Sequence, residues 1–68
     1  MVRLRILEIL EEQHHTKYWL YKQMDMSYQN LSRLLNNETT SIKFDNLDKL
    51  STILNCSVGD LFEKINTP

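Results

Sequence analysis

A chain with one glycine and one proline among 68 residues carries almost none of the chemistry that makes tight hairpins. Sandwiches and barrels of many short strands are therefore out of reach, because they need such turns every few residues. Helices joined by short polar connectors are the alternative. An apolar share of 41% and a charged share of 25% supply a core and a solvated face, and argue against disorder or a collagen-like repeat. The length allows one domain over residues 1–68, since a folded module needs about fifty residues, and a module this small hides only about 60% of its unfolded surface. No second layer is left to wall a deep substrate cavity. No Ser/His/Asp set, carboxylate pair or glycine-rich phosphate loop stands in the sequence, so neither an enzyme nor a cofactor or small-molecule ligand is expected.

Cys56 is the single cysteine and cannot form an internal disulfide, which fits a reducing cytoplasm. No zinc-type spacing accompanies it, and His14-His15 sits on a connector without a carboxylate or thiol nearby, so no metal is expected. Cys56 itself reads as a structural thiol rather than a redox sensor. The N-terminus mixes charges with apolar residues and has no small-residue cleavage site. It reads as neither signal peptide nor membrane span.

Periodicity places the elements. Ile6, Leu7, Ile9 and Leu10 form a stripe opposite Glu8, Glu11 and Glu12, which predicts a first helix to about Gln13. Val2, Leu4 and Ile6 alternate with Arg3 and Arg5, so the start suits an extended arm or edge strand equally well. Thr16 can cap a second helix over 17–24, with Leu20, Tyr21 and Met24 inward. Asp25-Met26-Ser27 interrupts it; Asp tolerates the left-handed conformation that a sharp turn can need, and Ser27 is a good cap for the next helix. In that third helix Leu31, Leu34 and Leu35 fall on one side, and Tyr28, Gln29, Ser32, Arg33 and Asn36 on the other. Residues 36–41 read as an exposed connector. A fourth helix begins near Phe44, burying Phe44, Leu47, Leu50, Ile53 and Leu54, and Asn55 is a left-handed stop. Ser57-Val58-Gly59-Asp60 is close to a capping box and opens a fifth helix carrying Val58, Leu61, Phe62 and Ile65. Residues 66–68 form a frayed tail.

Two short helices around a three-residue turn, over about residues 16–37, have the size and order of a helix-turn-helix. Here the sequence resembles the Xre/Cro-like, phage-repressor type of DNA-binding family, over roughly Leu4 to Phe62. Residues 44–50 and 54–62 look like that family's fourth and fifth helices. The resemblance implies an all-α, compact five-helix, lambda-repressor-like domain with its helix-turn-helix formed by helices 2 and 3. It implies a double-stranded DNA partner and base-reading residues Tyr28, Gln29 and Arg33: Gln can pair with adenine, Arg with guanine, and a Tyr ring can meet a thymine methyl. It further implies backbone-contacting positions at Thr16, Lys17, Ser32, Asn36 and Lys43. Two positions depart from the family pattern. Asp25 stands where the turn usually has Gly, and Tyr21 where the second helix usually has a small residue, so Tyr21 must find space or swing out.

The expected function is a bacterial or phage transcriptional regulator, acting as a repressor, that binds a palindromic operator as a homodimer. Its dimer surface would be the Val2-Leu4-Ile6 arm or the last helix. Without an effector domain, control would come from protein level, a partner or operator competition. The second expectation is a protein-interaction module, such as an antitoxin or anti-repressor, that keeps the fold and holds a protein through its aromatic run Tyr18-Trp19-Tyr21. An exposed Arg33 by itself is an ordinary solvated residue, and Tyr28 also has the spacing to lean on the core edge. The formal charge of −1 speaks against DNA at first sight. Split along the chain, however, residues 1–12 carry two cations and three anions, residues 13–43 four and two, and residues 44–68 two and four. The segment with the reading head is the only cationic one.

Overall fold

The computed structural model describes residues 1–65 of the chain; the expected frayed tail at 66–68 lies outside them. The elements run β1 (Val2–Leu4), α1 (Ile6–Glu12), α2 (Lys17–Tyr21), α3 (Tyr28–Leu35), α4 (Phe44–Leu54), a 3-10 turn (Gly59–Leu61) and β2 (Phe62–Lys64). The fold is mostly helical with a small two-stranded sheet, and the expected all-helical, five-helix arrangement is corrected to four α-helices.

The fifth helix is the principal correction. Its capping box forms as expected: the Asp60 N–H donates to Ser57 Oγ at 3.2 Å, and the Ser57 N–H to Asp60 Oδ2 at 3.4 Å. The helix it opens lasts one 3-10 turn. Phe62–Lys64 then runs antiparallel to β1, with Val2 opposite Lys64, Arg3 opposite Glu63 and Leu4 opposite Phe62. The Arg5 N–H donates to the Leu61 carbonyl at 2.9 Å and the Ile65 N–H to that of Met1 at 2.7 Å. The period-two pattern of the first residues thus belongs to a strand, whose backbone needs a partner. The last segment supplies it by leaving the helical conformation. Both surfaces expected to form a dimer are therefore joined within one chain, and Leu4, Ile6 and Leu61 are buried in its core.

Beside this sheet, β1, the four helices and the 3-10 turn send aliphatic side chains inward. Leu4, Ile6, Ile9, Leu10, Leu20, Met24, Leu31, Leu34, Leu35, Leu50, Leu54 and Leu61 form one buried cluster, with Leu47 and Ile53 half-buried at its margin. Phe44 is a further correction. Periodicity put it in the stripe of α4, but its ring is 87% exposed. It is the first residue of the helix, one turn beyond the point where neighbouring elements cover that face.

With glycine absent from the helix ends, other residues take the left-handed stop. His14, Asn37 and Asn55 have φ of 61°, 60° and 54°, following α1, α3 and α4. In each case the next N–H reaches back five residues, from His15 to Leu10 at 2.8 Å, from Glu38 to Arg33 at 2.9 Å and from Cys56 to Ser51 at 3.0 Å. These are Schellman closures. The stop expected at Asn55 is present, whereas Asp25 is not left-handed: α2 ends at Tyr21, earlier than expected, and residues 22–24 follow as turns still bonded to the Tyr18 and Leu20 carbonyls, with Met24 buried. Asn37 has a second duty. Its Oδ1 accepts from the Leu4 N–H at 2.7 Å and its Nδ2 donates to the Leu4 carbonyl at 3.0 Å, so one side chain acts as a strand neighbour on the edge of β1 away from β2. Replacing Asn37 by Ala should cost about 2–3 kcal/mol, from two lost hydrogen bonds and a left-handed alanine. Asn37→Gly should recover the conformational part of that loss, as read by urea unfolding midpoints.

Candidate nucleic-acid interface

α2 and α3 are short, and each is started by a side chain. Thr16 Oγ1 accepts from the Trp19 N–H at 3.0 Å, and Ser27 Oγ from the Asn30 N–H at 3.2 Å, so both expected caps are present. α3 buries Leu31, Leu34 and Leu35. At 3.6 residues per turn its outer strip then runs from Tyr28 through Ser32, Asn36 and Gln29 to Arg33 and Asn30. Tyr28, Gln29, Arg33 and Asn36 are exposed, and Ser32 is half-buried. Arg33 shares a cleft of about 480 Å³ with Asn30, Asp25, Ser41, Lys43 and Asn46, which joins the reading helix to the start of α4. Thr16 and Lys17 stand apart at the beginning of α2. The Thr16 hydroxyl, although it accepts the capping bond, keeps its proton to donate. Asn30, Ser41 and Asn46 were not singled out from sequence. Asn30 lies one position outside the polar face that spacing picks out, and the other two meet the cleft only through the path of the 36–43 connector.

Tyr28 stands at the opposite edge of the strip. Its ring meets that of Tyr21 edge-on, 5.2 Å between centroids at 79°. Tyr21 is half-buried and lies 6.1 Å from Tyr18, whose ring is 59% exposed and has Lys22 Nζ 5.4 Å from its centre. Trp19 faces the other way and stacks on His15 at 3.6 Å.

Charge is distributed in the same polarised manner. Arg3 pairs with Glu8 and, at 2.6 Å, with Glu63; Arg5 pairs with Glu12 at 2.9 Å. Lys49 comes within 4.0 Å of Asp25. Among the described residues, Lys17, Lys22, Arg33, Lys43 and Lys64 have no carboxylate partner. The first four are all the cations of residues 13–43. Cys56 is half-buried, and burial, helped by Asp60, raises its thiol above the usual range, which disfavours the reactive thiolate.

A polar strip on a second helix, capped, braced by a shorter first helix and flanked by unpaired cations, has the form of a DNA-reading unit. The family profile of the Cro/C1-type helix-turn-helix DNA-binding domain matches residues 5–66. The chain belongs to this family. A crystal structure of "a putative DNA-binding protein from Bacteroides fragilis" superimposes with a TM-score of 0.80 at 32% identity, covering 93% of this chain and all of that one. No curated protein matched. In this Cro/C1-type domain no described helix is long and apolar enough to cross a membrane. The described residues contain no cluster of three or more His, Cys, Asp or Glu side chains suited to a metal. Because Ser27 closes the first turn of the eight-residue α3, Ser27→Ala should lower stability by about 1 kcal/mol. Ser27→Asp should restore it, with thermal unfolding as the measurement.

Proposed function

We propose that this Cro/C1-type domain is a sequence-specific transcriptional regulator, a repressor, that places α3 in the major groove of a palindromic operator as a homodimer. The observation that carries the reading is the exposed strip of α3 set beside the only cations of the reading segment, none of which is neutralised by a described carboxylate. Tyr28, Gln29 and Arg33 are the base readers. Arg33 suits the two acceptors of guanine, Gln29 the acceptor and donor of adenine, and Tyr28 a thymine methyl. Thr16, Lys17, Ser32, Asn36 and Lys43 hold phosphates and set the register. One such unit makes few base contacts, and two copies about 34 Å apart along the duplex give affinity and palindromic symmetry together. Leu4, Ile6 and Leu61 are spent in the monomer core, so of the two expected dimer surfaces the exposed Val2 and the half-buried Phe62 and Ile65 are left for a second copy. Occupancy of an operator that overlaps a promoter then represses by exclusion.

A protein-interaction role, as antitoxin or anti-repressor, is the second reading. The bare ring of Phe44 favours it, since lone aromatics of that size concentrate at protein contacts. Duplex retention at low salt separates the two: a domain that does not bind duplex there, yet co-purifies with one protein, would replace the regulator reading.

Arg33→Ala should weaken binding to a selected operator by about 1–3 kcal/mol and relax the preference at one base pair, whereas Lys17→Ala should weaken all sequences alike. Gel shifts against the operator and its single-base variants would reveal the difference, and unchanged binding in both variants would overturn the residue assignment. With the four unpaired cations of residues 13–43 in each copy on phosphate, the log-log salt slope of a dimer should not exceed roughly 7 in magnitude.

A further inference from the structure

The reading strip is not freestanding at its Tyr28 end. Tyr28 is the first residue of α3, and the residue is 45% exposed. An aromatic at a helix start, half in water, has several rotamers open to it unless something takes one face. Here Tyr21 does so, edge-on at 5.2 Å and 79°, close to the preferred geometry for two rings. Tyr21 is in turn flanked by Tyr18 at 6.1 Å. Tyr21 closes α2, so the contact crosses the turn between the two helices. No hydrogen bond of the Tyr28 side chain competes with it among the described contacts.

We infer that Tyr21 is a positioning residue for base recognition: by holding the Tyr28 ring in one orientation, it fixes which base the start of α3 can select. This rests on the reading of Tyr28 as a base reader and adds a residue that touches no DNA. The chemistry is that of a preorganised contact. A ring already held pays no rotamer entropy on docking, and it presents one apolar edge at one height to the groove. A leucine at 21 keeps apolar bulk against the core but supplies no ring, whereas phenylalanine keeps the ring and loses only the hydroxyl.

Selection of bound oligonucleotides from a random pool, followed by titration of single-base variants, tests the inference on the intact chain. Tyr21→Leu should flatten the preference at the base pair that Tyr28→Ala also flattens, by about two- to twelve-fold, the range that corresponds to an aromatic pair. Preferences elsewhere should hold, and Tyr21→Phe should keep the parental profile. In a Tyr28→Ala background, Tyr21→Leu should change the profile no further. A uniform loss over all sequences, or an equal loss in the Tyr28→Ala background, would show that Tyr21 only packs the two helices together, and the inference would fall. If Tyr28→Ala leaves every base preference intact, Tyr28 is no reader, and both readings fall together. A measurement without DNA keeps the geometric claim separately open to refutation: side-chain couplings of Tyr28 should report one χ1 rotamer in the parent and in Tyr21→Phe, and averaging in Tyr21→Leu. Averaging already in the parent would overturn it even if the operator profile moved.

Discussion

None of the helices in this domain can persist alone. α2 has five residues, α1 seven, α3 eight and α4 eleven, all below the length at which isolated helices hold in water. Their persistence comes from one shared aliphatic cluster, to which the first strand, all four helices and the 3-10 turn each contribute. The first strand is tied over that cluster by β2 on one edge and by the Asn37 amide on the other. Gln13 adds a brace on the far side, where its Nε2 donates to the Leu54 carbonyl at 2.7 Å and joins the C-terminal ends of α1 and α4. α3 therefore inherits its position in part from side chains remote from it. Burial of Leu31, Leu34 and Leu35 decides which way the polar strip points.

What sequence made legible was mostly local. The stripes of α1 and α3, the caps at Thr16 and Ser27, the stop at Asn55 and the Ser57–Asp60 box depend on residues within a turn of each other, and each is found in the structure. The misreadings share the opposite cause. Val58, Leu61, Phe62 and Ile65 have helical spacing, yet the last of that segment becomes a strand because β1, sixty residues away, offers a backbone to pair with. Nothing in the local pattern carries that information. Phe44 obeys the period of α4 and still lies bare, since periodicity gives the direction of a face but not where its cover ends. Asn37 looked like loop chemistry, and its pairing with Leu4 joins two segments whose proximity only the fold creates. At the candidate interface the exposed strip was legible for the same reason as the caps, being one helix read by its own period. The cleft that brings Arg33 and Lys43 together was not, because it depends on how the connector returns.

Net charge illustrates how an average misleads. Arg3 and Arg5 are held by Glu8, Glu12 and Glu63, and Lys49 lies near Asp25. Acidic residues thus cancel Arg3 and Arg5 on elements away from the exposed strip, while Asp25, which lines the cleft of Arg33, takes Lys49. Desolvating a free lysine beside a phosphate gains the interaction outright, whereas a lysine already paired must first give up its partner. A near-neutral chain with its pairs sorted in this manner can hold DNA through the unpaired cations. A weak overall field in general keeps attraction to arbitrary sequence low and leaves more of the discrimination to base contacts.

Tyr21 shows how a bulky residue can occupy a position where the family resemblance leads one to expect a small one. A ring forced between α2 and α3 would separate them, because packed helices are spaced by the side chains at their contact. Here Leu20 and Met24 take the inward positions, buried to 0% and 6% exposure. Tyr21 lies at the margin of the core, where it meets Tyr28 instead of wedging the helices apart. The backbone after it stays wound, with the Lys22 N–H bonded to the Tyr18 carbonyl at 3.0 Å and the Met24 N–H to that of Leu20 at 3.2 Å, so the ring's room comes from its place at the core margin. Its contacts with the Tyr18 and Tyr28 rings thus lie beside the exposed strip of α3.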